Sequence, residues 1–446
     1  MSRYKPYPVY KDSGVEWIGE VPEHWEVKRL RHVATFKNSN VDKKSYDGQQ
    51  AIHLCNYTDV YYNEFITSGL SFMPSTASAA EIEQFALKRG DVIITKDSED
   101  PADIGIPSIV SEELGGVVCG YHLTVIRGAD LETARVIHRA LQSSPTKAHF
   151  FVEATGITRY GLNQDAIGDT PICLPPPQER KNLADHIDRE TARIDALIAK
   201  KSRFVELLRE KRQAFITHAV TKGLDPSVKM KDSGVEWIGE VPEHWERWKM
   251  AHAFSRIGSG TTPTASEREW YEGGTVNWVT TGELREGVIY DTEAKVTFEA
   301  IKRFSALRIH PAGSVVIAMY GATIGRLGVL GEDSTTNQAC CVLSGSIAIS
   351  QKFAFYWLLA SKKAIIDLFA SGGAQPNINM EKVAELRVPC PSVQEQTQIA
   401  DYLDGHCDRI DVLIAKVQRS IDLLQERRSA FITAAVTGQI NLRESK

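Results

Sequence analysis

A chain of 446 residues with 42% hydrophobic and 24% charged residues is ordinary for a globular protein and has material for two or three domains. Its net charge of −5 argues only weakly against a nucleic-acid partner, because the local face is what meets a phosphate backbone. Seven cysteines with no CxxC spacing suggest a reducing compartment, and neither an apolar run of about 18 residues nor an apolar core in the opening MSRYKPYPVYKDS is present, so a cytoplasmic protein without a membrane partner is expected.

The first element is the peptide KDSGVEWIGEVPEHWE at residues 11–26, which returns unchanged at residues 231–246. Its prolines and glycines keep it from being a long helix. It supplies Trp17, Trp25, Trp237 and Trp245, which are expected to dock on equivalent surfaces at the base of the domain that follows each copy. Residues 27–155 then diverge from residues 247–371. Inside them GDVIITK (90–96) and GSVVIAM (313–319) read as equivalent buried strands, as do VVCGYHLTVI (117–126) and STTNQACCVL (334–343). The loops that follow the first pair differ: TKDSEDPAD is acidic, AMYGAT small and neutral. Scaffold is kept while loops change, the usual arrangement where loops carry function.

From Gly156 the halves align again, with Gly156 matching Gly372, Leu162 Ile378, Asn163 Asn379, Ile167 Val383 and Ile172 Val388. Over the 44 residues that begin at Gln178 and Gln394, 24 are identical. These tails read as long helices. Ile187, Ile194, Lys201, Leu208 and Phe215 recur every seven residues, as do Leu403, Ile410, Val417, Leu424 and Phe431, and Leu197 widens the first stripe. A seven-residue apolar stripe with charged flanks is the pattern of a coiled coil. Ser392 and Glu395 predict a capping box, Pro175–Pro177 mark the first helix start, and Gly223 and Gly438 mark the ends. About 40 residues at 1.5 Å each make rods of about 60 Å. The duplication favours antiparallel packing, which gives the rods a two-fold axis and puts the divergent domains at opposite ends. The fold class is α+β: two pseudo-symmetric α+β domains at 1–177 and 223–391, separated by long helices at 178–222 and 392–440 packed as an antiparallel coiled coil.

The chain lacks GxxxxGK[ST], a dinucleotide glycine pattern, HExxH and the Asn/Asp-Pro-Pro-aromatic stretch of an amino-methyltransferase. Glu26-Val27-Lys28 has the spacing of a nuclease site, but the second copy, Glu246-Arg247-Trp248-Lys249, breaks it. His24 and His244 read as packing or capping residues. No catalytic residue, metal or bound cofactor is expected. What remains are polar, aromatic and basic residues on the variable loops: Lys96, Ser98, Tyr121, His122, Arg159 and Tyr160 in the first half, and Tyr320, Thr323, Arg326, Asn337, Gln338 and Gln375 in the second. In the major groove arginine reads guanine, asparagine and glutamine read adenine, and carboxylates accept from the cytosine amine. These residues are therefore candidate DNA contacts. Asp97, Glu99 and Asp100 are either such acceptors or a solvated acidic loop.

Three motifs carry a resemblance: SGVEWIGEVPEHWE before each domain, GLNQDAIGDTPICLPPPQE and NINMEKVAELRVPCPSVQEQTQIA at the helix starts, and RIDxLIAK…LLxExRxAFITxAVT along both helices. Together they resemble the specificity subunit of type I restriction–modification enzymes over almost the whole chain. The resemblance implies that each divergent middle is a target recognition domain reading one half of a split, asymmetric site in double-stranded DNA. It implies that the helices set the spacer and that two modification subunits dock on them and methylate adenine with S-adenosylmethionine. It further implies two restriction subunits that use ATP and Mg, and no chemistry by this chain itself. The competing readings are a coiled-coil scaffold with two protein-binding domains, which suits the acidic net charge, and a self-contained nuclease or methyltransferase.

Overall fold

The computed structural model describes residues 4–264, 266–370 and 377–443. The chain forms two compact units, Met1–Ser202 with Gln418–Lys446, and Arg203–Val417. The long helices, Pro177–Lys222 and Val393–Val436, each give one half to each unit.

The first unit holds a five-stranded sheet in the order 34–38, 123–128, 92–95, 107–110, 65–66, and a three-stranded sheet in the order 117–119, 50–55, 73–77. The second repeats both: 254–259, 340–346, 315–318, 327–330, 288–289, and 295–296, 276–279, 334–336, the latter in mirrored listing. The register is common too, Leu123 lying opposite Thr95 where Cys340 lies opposite Ala318. The strand pairs read as equivalent in the sequence are therefore equivalent in the fold.

The central strands are apolar without alternation because both sheet faces are covered. Ile93 and Val125 pack toward Ile52, Leu54 and Val118. Val92, Ile94 and Ile126 face the other way, onto Ala134, Ile137 and Leu141 of helix Leu131–Leu141. In the second unit Val315 and Ile317 pack with Phe353 and Trp357 of helix Gln351–Phe369, while Val316 and Ala318 meet Val279 and Leu284. Burying each valine, leucine, isoleucine or phenylalanine among them stabilises by about 1.5–3 kcal/mol.

Within each unit the helix segments run antiparallel. In the first, Ile187 shares a cluster with Ile432 and Val436, and eight residues further on Asp195 accepts from Arg428 Nε at 2.8 Å. In the second, Arg212 meets Asp411 at 3.3 Å, while Ile216 and Val220 cluster with Leu403 and Ile399. Advancing along one helix steps backward along the other. Ile187, Ile194, Leu208, Leu403 and Val417 are buried, and Phe215, Ile410, Leu424 and Phe431 half-buried. Leu197 is instead 41% exposed, at the edge of the stripe, with Ile198 half-buried beside it. The first unit's sheet domain is tied to its helix segments by ions. Arg139, 1% exposed, donates to Asp188 at 2.6 and 3.0 Å and also to Glu64, which pairs with Arg428.

Each copy of the repeated peptide forms a short antiparallel hairpin, 10–12 with 20–22 and 230–232 with 240–242. Trp25 and Trp245 are fully buried. His24 Nε2 lies 2.9 Å from Glu179 and His244 Nε2 2.9 Å from Glu395, near the start of the adjoining long helix. A Cβ on Gly438 would lie 2.2 Å from Pro22 and 3.4 Å from Trp25; one on Gly223 would lie 3.4 Å from Trp245. Each copy thus wedges between the start of one long helix and the end of the other. The expected capping box is only half made: Ser392 Oγ accepts the Glu395 N–H at 3.3 Å, but the Glu395 carboxylate turns to His244 and to Trp245 Nε1 at 2.9 Å. The first tryptophans differ. Trp17 is 54% exposed beside His149, whereas Trp237 is half-buried against Trp357.

Candidate nucleic-acid interface

Where the central strand Val92–Thr95 ends, three distant segments converge. Lys96 N–H donates to the His122 carbonyl at 3.0 Å, and Leu162 N–H to the Lys96 carbonyl at 2.8 Å. Asp97–Ser98 pairs with Tyr160–Gly161. Lys96, Tyr121, His122 and Tyr160 are therefore brought together. The Asp97 carboxylate holds His122 Nδ1 and, at 3.2 Å, Lys96 Nζ. The same ammonium lies 5.2 Å above the Tyr121 ring, which is 49% exposed. Ser98 is buried and its hydroxyl accepts the Asp100 N–H at 3.1 Å, so it stiffens the loop.

Arg159 stands on a tight loop closed by reciprocal Thr155–Gly161 backbone bonds of 3.1 and 2.9 Å. Gly156 is required there: its φ is 146°, and a Cβ would lie 2.0 Å from the Arg159 carbonyl oxygen. The Arg159 guanidinium is exposed, with no hydrogen-bond or ion-pair partner among the described residues. Helix Tyr57–Tyr62 adds two tyrosines that the loop reading missed. Tyr57 stacks on Tyr61 at 5.6 Å, and the Tyr61 hydroxyl donates to Asp103 at 2.5 Å. That bond pushes the Tyr61 phenol up to about 12, and burial followed by Asp103 raises Tyr57. The only sequence signal was three tyrosines in six residues.

The second unit offers the same backbone frame with other side chains. Met319 N–H donates to the Ala339 carbonyl at 2.8 Å and Ile378 N–H to the Met319 carbonyl at 2.7 Å, the bonds that Lys96 makes in the first unit. Tyr320, bridged to Asn377, stands where Asp97 bridges to Gly161. Gln338 replaces Tyr121, and Ala339 replaces His122. The Tyr320 hydroxyl donates to the Gln338 carbonyl at 2.5 Å, and Thr262 Oγ1 donates to Gln338 Oε1 at 2.6 Å. Burial raises the Tyr320 phenol. Asn337 Oδ1 accepts the Ala339 N–H at 3.0 Å, and Thr323 Oγ1 donates to the Tyr320 carbonyl at 3.3 Å. Arg326 is exposed at the loop's far end, its side chain without a partner among the described residues. Gln375 lies outside the described residues. Thr262 was not singled out in the sequence because it belongs to a loop far upstream.

Residues 22–206 and 242–421 match the type I restriction modification DNA specificity domain. The chain belongs to that family. As a specificity subunit it serves DNA sequence recognition in a type I restriction–modification system. It is 22% identical over 434 residues to the putative type I restriction enzyme MjaX specificity subunit of Methanocaldococcus jannaschii, covering 96% of each chain. It is 22% identical over 210 residues to the EcoR124I/EcoR124II specificity subunit of Escherichia coli, 46% of this chain and 48% of that one. A solved chain from work on complex assembly and conformational transition of the type I R-M system superposes with a TM-score of 0.70 at 16% identity, covering 94% of this chain and 99% of its own. Among the described residues no helix is long and apolar enough to cross a membrane.

Proposed function

We propose that each module of this specificity subunit reads one half of a bipartite, asymmetric site in duplex DNA. The observation that carries this is the substitution of side chains on one hydrogen-bonded frame: Lys96, Asp97, Tyr121 and His122 in the first module, Met319, Tyr320, Gln338 and Ala339 in the second. Like frames with unlike donors and acceptors select unlike base edges. The uncommitted guanidinium groups of Arg159 and Arg326 suit guanine edges or phosphates.

In this reading the antiparallel helices set the unread spacer and dock two methyltransferase subunits, which bind S-adenosylmethionine and methylate adenine at N6. Apolar side chains that the helices leave outside their seam support such docking: Leu197 and Leu423 on the first unit's segments, Phe204, Leu207, Val412 and Leu413 on the second's, all at least 39% exposed. Two restriction subunits, using ATP and Mg, complete the restriction of unmodified DNA. The chain itself holds no reacting group in this scheme.

The test is selection from random duplex pools by this chain in complex with its methyltransferase partner. Enrichment of two short motifs at a fixed separation supports the reading. Absence of any enrichment at low and moderate salt refutes it and favours a protein-binding scaffold.

A further inference from the structure

We propose that His122 reads an amine-bearing base, adenine or cytosine, through Nε2, and that Asp97 positions it by fixing which ring nitrogen carries the proton. The inference rests on the DNA-reading role above and adds to it a residue and a hydrogen-bond polarity at one position of one half-site.

Among the described residues only His122 (φ 72°) and Glu286 are non-glycine residues in the left-handed backbone region. That conformation costs about 1–2 kcal/mol and persists only when its surroundings over-determine it. Here they do. The His122 carbonyl accepts the Lys96 N–H at 3.0 Å, the imidazole lies 4.0 Å from the Tyr121 ring centroid, and Nδ1 is held by Asp97. The equivalent place in the second module is Ala339, so the frame itself does not need an imidazole there.

The polarity follows from the partner. A carboxylate only accepts hydrogen bonds, so the nitrogen facing Asp97 carries the proton. In a neutral ring the other nitrogen is then an acceptor. Lys96 Nζ donates to the same Asp97 oxygen, at 3.2 Å, which completes the carboxylate's shell on that side. His122 Nε2 has no partner among the described residues, and the side chain is 27% exposed. An acceptor offers nothing to a phosphate oxygen, which also only accepts. On the major-groove edges the donors are adenine N6 and cytosine N4, whereas guanine and thymine present acceptors.

The test compares wild type, His122→Ala and Asp97→Ala, each with the methyltransferase partner, in selection from random duplexes. Wild type should show, in one half-site, a position restricted to adenine or cytosine. His122→Ala should relax that position by about fivefold, the effect of one hydrogen bond. The rest of that half-site and the whole of the other should stay, the latter reporting that the variant is folded. Asp97→Ala should weaken selection at the same position, since both tautomers become available. An unchanged motif in His122→Ala, a His122-dependent position that takes guanine or thymine, or loss of the entire half-site overturns the inference. No bipartite enrichment by wild type overturns the DNA-reading role instead.

Discussion

The two repeated peptides are identical in sequence, yet their buried tryptophans are not equivalent in chemistry. Trp245 Nε1 donates to Glu395 at 2.9 Å, while Trp25 Nε1 is buried with no partner among the described residues. In the first unit the corresponding glutamate, Glu179, is taken up by the Tyr7 hydroxyl and His24. Tryptophan-to-phenylalanine substitution removes the same volume from both sites, which are both at most 1% exposed. At Trp245 it also removes a bond to a carboxylate, worth about 1.5–3 kcal/mol; the low end applies, because Glu395 keeps His244 and part of its hydration. At Trp25 it removes an unpaired N–H whose burial costs about 1 kcal/mol or more. Trp245→Phe should therefore destabilise its unit by about 2.5 kcal/mol more than Trp25→Phe destabilises the other. Urea unfolding monitored by hydrogen exchange of the two central strands, Val92–Thr95 and Val315–Ala318, assigns each loss to its unit. Equal losses, or the larger loss at Trp25, would falsify the assignment of the indole bond.

Gly156→Ala should open the 155–161 loop, because the new methyl meets the Arg159 carbonyl. DNA affinity through one half-site should fall while the urea midpoint holds, and unaltered binding would contradict the loop's role. Inserting one heptad into each rod, within 188–212 and 404–428, adds about 10 Å, or about three base pairs of unread spacer. Motif selection with the spacer unchanged would remove the ruler idea. The His310 ring nitrogens are buried without a hydrogen-bond partner among the described residues, and burial, followed by Arg256 and Arg308, holds its pKa down at about 4. The unfolded chain binds that proton below about 6.5, so this contribution to stability is full above about pH 6.5 and is lost as pH falls through 4. His310→Leu should flatten the urea midpoint across that window; an unaltered slope argues against a neutral buried ring.

What could be read from the sequence followed from patterns with one physical cause. GDVIITK and GSVVIAM carry unbroken apolar runs, 92–94 and 315–319, because both sheet faces are covered, and the seven-residue stripes mark the rods and their seam. Leu197 shows where the stripe misleads, since an apolar residue at a stripe's edge has no sequence mark telling seam from surface. Glu395 looked like a capping partner for Ser392, but a buried indole N–H 150 residues upstream competed for it. The left-handed backbone of His122 and its bond to Asp97 were hidden because neither local propensity nor spacing encodes them. Thr262 and the tyrosines of helix Tyr57–Tyr62 come beside the candidate loops only through sheet pairing.

The most direct test of modular reading is to replace residues 27–155 with the corresponding segment of another specificity subunit. The methylated motif is then read by single-molecule sequencing of a host that carries the hybrid with its methyltransferase partner. The account predicts that one half-site changes while the other half-site and the spacer are retained. A change in both half-sites would contradict it.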